Sequence, residues 1–406
     1  MVEKLLCLGI ESTAHTFGAS VVTGGGDVLS NERKLYTTES GGLIPYKLSE
    51  HHVKHCDTII KQALEKAKVN IQDIDLISFS QSPGIGHALR IGAVAAKSLS
   101  LHHNIPLVGV NHCIAHIEIG RLKATPRNHM KEQPTRKTQT PDPILLYASG
   151  ANTQIIGYEG QKYRVFGETL DIGIGNFLDS FARHVGLGFP GGPKIQELAS
   201  KSTKYIELPY TVKGMDVSFG GLLTKLKTMF SSGKYKLEDL CYSLQETVFA
   251  MLLEVSERAL AHTGKTELLL GGGVACNKKL QEMAIQMCED RGATCYILEN
   301  QYNVDNAAMI AWTGIVTVCR EKETENRGQS AGNREQGGMV SSQGTGRNNQ
   351  RSGNREQESG NREQESGNRE QKTGNSVINE EFCTPISEAR IEPYRRTDEV
   401  EIAWRD

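Results

Sequence analysis

No stretch of this 406-residue chain approaches the roughly 18 uninterrupted apolar residues that a membrane span requires, and the best candidate, Ile91 to Leu101, is broken by Lys97. The first ten residues carry an early acid, Glu3, and an apolar run too short for the roughly 7–15-residue hydrophobic segment of a secretory leader. Neither a membrane partner nor export is expected. The nine cysteines are odd in number and form no CxxC pair, which excludes a disulfide scaffold and suits a reduced, cytoplasmic compartment. Excess charge of one sign is lacking too. With 46 Lys plus Arg against 48 Asp plus Glu, whole-chain attraction to nucleic acid is excluded and any such contact must be a local patch. No Gly-x-x-x-x-Gly-Lys-Ser/Thr occurs, so there is no Walker A motif.

What is present is enough apolar sequence, 38% with 42 glycines, to bury a sizeable core in roughly two or three domains. Two stretches stand apart. Within residues 323–374 a seven-residue unit recurs, clearest as Gly-Asn-Arg-Glu-Gln starting at 332, 353, 360 and 367. A heptad coiled coil needs two apolar positions per unit, and this stretch offers only Ala331, Met339 and Val340, so a disordered, mixed-charge insert is expected. Residues 123–142 form a basic loop, with Pro126, Pro134 and Pro141 among Lys123, Arg127, Lys131, Arg136 and Lys137.

Elsewhere strands alternate with helices. The runs Leu5 to Ile10 and Gly18 to Thr23 flank a short polar turn, and Ile144 to Ala148 and Gln154 to Tyr158 flank another, predicting two similar hairpins. Leu76 to Ser80 and Pro106 to Val110 read as buried strands around a helix at Leu89 to Leu101, Leu240 to His262 as a long amphipathic helix, and Leu268 to Gly271 as a strand. Turns at Glu11 to Thr16, Ser149 to Thr153, Pro190 to Pro193 and Gly271 to Asn277 are rich in glycine or hydroxyls, so their amides could ring a phosphate. Each alone is better read as an ordinary tight turn; two hairpins and a strand-to-helix glycine turn in one chain point to a nucleotide.

His112 and His116 are spaced i and i+4, which puts both imidazoles on one helix face within reach of one metal ion, though a polar helix face explains the spacing equally well. A zinc-peptidase motif would need Glu where the chain has Cys113. Asp305 opens an apolar helix, where it could be an N-cap or a ligand. Asp171 and Asp179 sit among apolar residues as either ligand-binding or exposed acids.

In combination these segments resemble the universal family of tRNA adenosine threonylcarbamoyltransferases, and within it the archaeal and eukaryotic branch that supplies the catalytic subunit of the KEOPS complex. The resemblance is carried by Gly9-Ile10-Glu11-Ser12-Thr13-Ala14, Ser82-Pro83-Gly84-Ile85-Gly86, Asn111-His112-Cys113-Ile114-Ala115-His116, Ser149-Gly150-Ala151-Asn152-Thr153-Gln154, Leu187-Gly188-Phe189-Pro190-Gly191-Gly192-Pro193, Lys213-Gly214-Met215-Asp216-Val217-Ser218-Phe219 and Asp305-Asn306-Ala307-Ala308-Met309. It runs from Cys7 through Gly314 and resumes at Arg395-Arg396-Thr397-Asp398-Glu399-Val400.

The resemblance implies an α/β chain of the actin-like ATPase (ASKHA) fold, with two βα lobes around a central cleft. The first lobe would span 1–122, with 375–406 available to complete it, and the second 143–322 with a helical insertion. It implies one divalent metal ion per subunit on residues matching His112, His116, Tyr147 and Asp305; the resemblance favours iron, and the ligand types also admit zinc. Substrate binding falls on Tyr147, Ala148, Ser149, Gly150 and Ala151, with Asp179, Gly192 and Asn277; Gln196 stands where this branch usually has an acid. The segment Gly41-Gly42-Leu43-Ile44-Pro45-Tyr46-Lys47 also departs from the family pattern, which commonly has His and Arg near the proline. The implied reaction is transfer of threonylcarbamoyl from threonylcarbamoyl-AMP to N6 of the adenosine beside the anticodon in tRNAs reading ANN codons. The implied partners are tRNA and a KEOPS kinase subunit, dimerising subunit and tRNA-binding subunit. Some archaeal members carry the kinase fused behind the transferase; here the chain ends at Asp406, so a separate kinase is expected. No general base is assigned. The competing readings are an actin-like small-metabolite kinase, disfavoured because such enzymes hold Mg²⁺ mainly with carboxylates and phosphates, an endopeptidase, disfavoured by Cys113, and a non-catalytic scaffold of the modification complex.

Overall fold

The computed structural model describes residues 2–38, 44–127, 141–319, 378, 383–400 and 402; the repeat segment and residues 128–140 of the basic loop lie outside them. The first sheet is built from β1 (Leu6–Glu11), β2 (Thr16–Thr23), β3 (Val28–Leu35), β4 (Leu76–Ser82) and β5 (Leu107–Asn111), in the order β3-β2-β1-β4-β5. α1 (Pro45–Ala67) and α2 (Gly86–His103) follow β3 and β4, and α3 (His112–Lys123) follows β5 without a linker. The second sheet, in the order β6-β13-β12-β7-β8-β9, contains β6 (Thr125–Pro126), β7 (Ile144–Ala148), β8 (Thr153–Glu159), β9 (Lys162–Glu168), β12 (Glu267–Gly271) and β13 (Thr294–Ile297). Between β9 and β12 come α4 (Ile174–His184), α5 (Gly192–Ala199), the short pair β10 (Val212–Lys213) and β11 (Asp216–Val217), α6 (Gly220–Ser231) and α7 (Leu237–Thr263). Then follow α8 (Lys278–Asp290), α9 (Asn300–Asn303) and α10 (Ala307–Cys319).

Both sheets repeat one plan. An antiparallel hairpin, β1–β2 in one and β7–β8 in the other, is extended by parallel strands through helical crossovers. The parallel strands have no solvent face and read as near-continuous apolar runs, such as Leu268-Leu269-Leu270. One apolar core lies under α1 and α2, a second under α4 to α8, and a third joins the inner faces of both sheets through α3 and α10.

α10 departs from the expected lobe boundary at 322. It follows the second lobe in sequence yet packs on the first sheet: a Cβ added at Gly9 would sit 2.4 Å from the Ala307 carbonyl oxygen, so only glycine in β1 admits the helix. The segment after residue 383 also lies on the first sheet, with the Thr384 amide donating to Leu107 at 2.7 Å and the Gly84 amide to Pro393 at 3.1 Å. Arg396 then reaches the second sheet and pairs with Glu168 at 3.2 Å. Among the described residues no helix is long and apolar enough to cross a membrane, and all nine cysteines are free thiols.

His52, buried on α1, has one ring nitrogen 3.0 Å from the Ala14 carbonyl and the other 3.2 Å from His51. Burial, then the neighbouring His51, pushes its pKa down to about 4. A histidine held neutral in this way stabilises the fold fully above its ordinary value near 6.5, and that stability is lost as pH falls toward 4. Urea titrations should therefore record a loss on the order of 2–3 kcal/mol between those limits. His52→Gln should flatten the profile; an unchanged slope would exclude His52 as its source.

Candidate metal centre and cleft

β5 delivers α3 to the interlobe cleft with its cap in place. The Asn111 side chain accepts from the amides of Cys113 and Ile114 at 3.0 and 3.1 Å, starting the helix at His112. One turn on, His116 falls on the same face, and the two rings lie 4.8 Å apart between centroids. Asp305 comes from the turn before α10. The question whether it caps that helix has a clear answer: the neighbouring Asn306 accepts from the Met309 amide at 3.1 Å, leaving the Asp305 carboxylate to the cleft. Its Oδ1 lies 3.4 Å from His112 Nε2 and 3.7 Å from His116 Nε2. Tyr147, at the end of β7, brings its hydroxyl within 3.0 Å of His112 Nε2.

The donor atoms of His112, His116 and Asp305 all lie within 4.8 Å of one another, a group that could hold a metal ion. His116 supplies the test of fit. It is fully buried, and neither ring nitrogen has a hydrogen-bond partner among the described residues. Such an orphan costs about 1–3 kcal/mol, and a cation bound at Nε2 removes one of the two. The electrostatics agree. Burial alone would raise the Asp305 carboxyl, yet His112 and His116 beside it hold it well below the usual carboxylate range. Burial lowers His116, whereas Tyr147, Glu11 and Asp305 together outweigh burial at His112 and raise it. Two imidazoles and a carboxylate, with a phenol alongside, suit zinc or iron.

Glu11, inside the Gly9-Ile10-Glu11-Ser12-Thr13-Ala14 motif, has a role that its sequence position does not reveal. Its carboxylate is fully buried, accepts from the Thr13 amide at 2.6 Å and lies 3.0 Å from His112 Nδ1. In the neutral ring this arrangement places the proton on Nδ1 and leaves the Nε2 lone pair facing Asp305 and Tyr147, as an outer layer would to orient an imidazole toward a metal. A buried acid at the end of an apolar strand was the available signal.

The cleft holds a cavity of about 620 Å³ that includes His112, Tyr147 and Asp305 together with Ser149, Gly150, Ala151 and Asp179. In the turn after β7 the Ser149 amide donates to Asn152 and the Asn152 amide to the Ser149 hydroxyl. Among the described residues the amides of Gly150 and Ala151 have no protein acceptor, so only half of the turn is open to an anion. Asn176, Asp179 and Arg183, spaced i, i+3 and i+7, line the cavity from one face of α4, which decides the direction of Asp179. Asp179 also holds the next loop by accepting from the Gly191 amide at 2.7 Å.

Other expected residues lie behind this surface. Ala148 is fully buried, and Gly192 begins α5. Asn277 is committed twice, donating to Gln245 at 2.7 Å and capping α8 by accepting from Lys279 and Leu280. Gln196 accepts from the Lys278 amide at 3.3 Å. Asp171 is a structural acid: Ser218 and the amides of Phe219 and Gly220 converge on it at the start of α6. Cys113 is buried, with burial raising its thiol, and is no nucleophile facing the cleft.

Paired hairpin sheets closing on this cluster define a protein of the actin-like ATPase fold with a group able to hold a metal at its cleft. Solved structures agree on the fold. Full-length HypF in its phosphate- and nucleotide-bound form matches with a TM-score of 0.51 at 12% identity over 77% of this chain and 55% of its own. HypF of T. kodakarensis matches with a TM-score of 0.52 at 13% identity, over 77% and 47%. Residues 27–312 match the model of the family described as TsaD: tRNA N6-adenosine threonylcarbamoyltransferase. The protein of that name from Thermococcus sibiricus is 54% identical over 311 residues, 77% of this chain and 91% of its own. A Methanocaldococcus jannaschii protein named probable bifunctional tRNA threonylcarbamoyladenosine biosynthesis protein is 49% identical over 312 residues, 77% of this chain and 55% of its own. The chain belongs to the tRNA N6-adenosine threonylcarbamoyltransferase family.

Proposed function

We propose that the chain transfers threonylcarbamoyl from threonylcarbamoyl-AMP to N6 of the adenosine beside the anticodon in tRNAs reading ANN codons. The observation that carries this reading is that His112 and Asp305, with His116 buried behind them, share one cleft with the open amides of Gly150 and Ala151. In the reaction the N6–carbonyl bond forms, the mixed-anhydride bond between carbonyl carbon and phosphate oxygen breaks, AMP leaves and N6 gives up a proton. An exocyclic aromatic amine is a poor nucleophile, so the electrophile must be activated.

His112, His116 and Asp305, with Tyr147 alongside, would hold one divalent ion, iron or zinc. Such an ion supplies Lewis-acid polarisation of the acyl group and stabilises charge on oxygen. The Gly150 and Ala151 amides bind the phosphate of the leaving AMP, where preorganised donors act most strongly on developing charge. Asp179, which lines the same cavity, contacts the nucleotide part of the donor. In this role the chain works in the cytoplasm as catalytic subunit of a KEOPS-type complex with a kinase, a dimerising and a tRNA-binding subunit.

The test incubates the chain and these partners with unmodified tRNA and the synthetic adenylate, then digests the RNA and seeks threonylcarbamoyladenosine by mass. Phosphorylated small metabolites without the modified nucleoside would replace this reading with a kinase. Modification that survives substitution of the metal-binding residues would leave the chain a scaffold.

Gly175→Ala tests the phosphate turn separately. Helix propensity favours Ala by about 1 kcal/mol, but the new Cβ would lie 2.6 Å from Gly150 Cα and 2.8 Å from the Ser149 carbonyl oxygen. Backbone cannot yield at those distances without moving the turn. KM for the adenylate should rise at least about tenfold, equivalent to 1.4 kcal/mol, with metal content unchanged. An unaltered KM would remove the turn from the phosphate site.

A further inference from the structure

We propose that a basic groove between the end of β3 and the N-terminal part of α1 binds the phosphodiester backbone of tRNA on its way into the cleft. The proposal rests on the reading of the cleft as a tRNA-modifying site and adds a contact surface to it. Lys34 and Tyr36 form one wall, and Lys47, His51, Lys54 and His55 the other. The four α1 positions follow i, i+4, i+7 and i+8, a single stripe of the helix.

The three lysines are exposed, and among the described residues none of them makes an ion pair. Elsewhere on the same two elements Lys66 is neutralised by Glu32 at 2.6 Å. The carboxylate lining the groove belongs to Glu50, one of whose oxygens accepts from the Tyr46 hydroxyl at 2.6 Å. Three ammonium groups against one carboxylate make a local positive field on a chain whose formal charge is −2. His51 registers it: burial first, then His55 and Lys34, lower its pKa.

The groove is continuous with the cleft. Leu35 lines both cavities, the Tyr36 amide donates to the His15 carbonyl at 2.8 Å, and Ala14 and His15 are themselves cleft residues. Charges spread along an open channel on two elements match successive phosphates of a polymer better than one enclosed anion.

The experiment compares the full chain with its Lys34→Glu/Lys47→Glu/Lys54→Glu variant, binding an unmodified tRNA transcript between roughly 50 and 200 mM salt. The variant should lose about tenfold or more in affinity, and the slope of log K against log salt should fall by about two to three. KM for the adenylate should not move, and an exposed control, Lys204→Glu/Lys234→Glu, should bind as wild type. Should the triple variant unfold, the Lys→Gln series should give a smaller loss in the same direction. Unchanged affinity and slope would overturn the groove and leave it to an acidic protein partner; a raised adenylate KM would overturn it as well. A wild-type chain that neither binds nor modifies tRNA would instead sink the functional reading.

Discussion

Replacing both His112 and His116 with Ala should abolish bound divalent metal and, with it, threonylcarbamoyl transfer to tRNA. Both rings are buried, and the Nε2 atoms lie 3.4 and 3.7 Å from the one Asp305 oxygen, so these three side chains would hold one ion between them. The expected loss is to background, at least about 10³-fold, or 4 kcal/mol of transition-state stabilisation. Metal analysis and nucleoside digestion read the two effects separately. His116 makes no hydrogen bond that Ala would break, whereas loss of His112 also frees Glu11 and Tyr147, so thermal melting should show a destabilised but folded double variant. Full transfer by the metal-free double variant would reject the assignment of these residues.

Glu11→Gln should weaken metal binding about 10–100-fold, the usual effect of removing an outer-layer partner of a ligand. The side chain keeps its shape, but an amide nitrogen turned toward His112 donates where the carboxylate accepted. The imidazole then carries its proton on Nε2 and presents no lone pair to the cation. Glu11→Ala should be worse for the fold, since the Thr13 amide and hydroxyl and the His112 Nδ1 lose a buried acceptor. Competition with a chromophoric chelator gives the affinity and thermal melting gives the stability. Wild-type affinity in a well-folded Glu11→Gln would show that His112 is oriented by other contacts.

Much of the fold was legible because its signals are local. Both hairpins announce themselves as β-prone runs around short polar turns, and they occur at Leu6–Thr23 and Ile144–Glu159. The spacing of His112 and His116 is an α-helical property, and it holds once Asn111 starts α3. The same locality explains the misses. Asp171 and Asp179 look alike in sequence, yet one gathers the start of α6 and the other lines the cleft. Asn277 stands in a glycine-rich turn and is consumed as a helix cap. Glu11 acquires its role from a residue 101 positions away.

Sequence alone determined the α/β alternation, the paired turns and the placing of His112 and His116 on one helix face, since each depends on residues a few positions apart. It left open what Asp305 does, which amides of the Ser149–Asn152 turn are free, and that α10 belongs against the first sheet. The tertiary structure decided where each of these groups lies, because a carboxylate meets imidazoles, an amide is left without an acceptor and a glycine admits a helix only through the partner that long-range packing brings to it, or withholds.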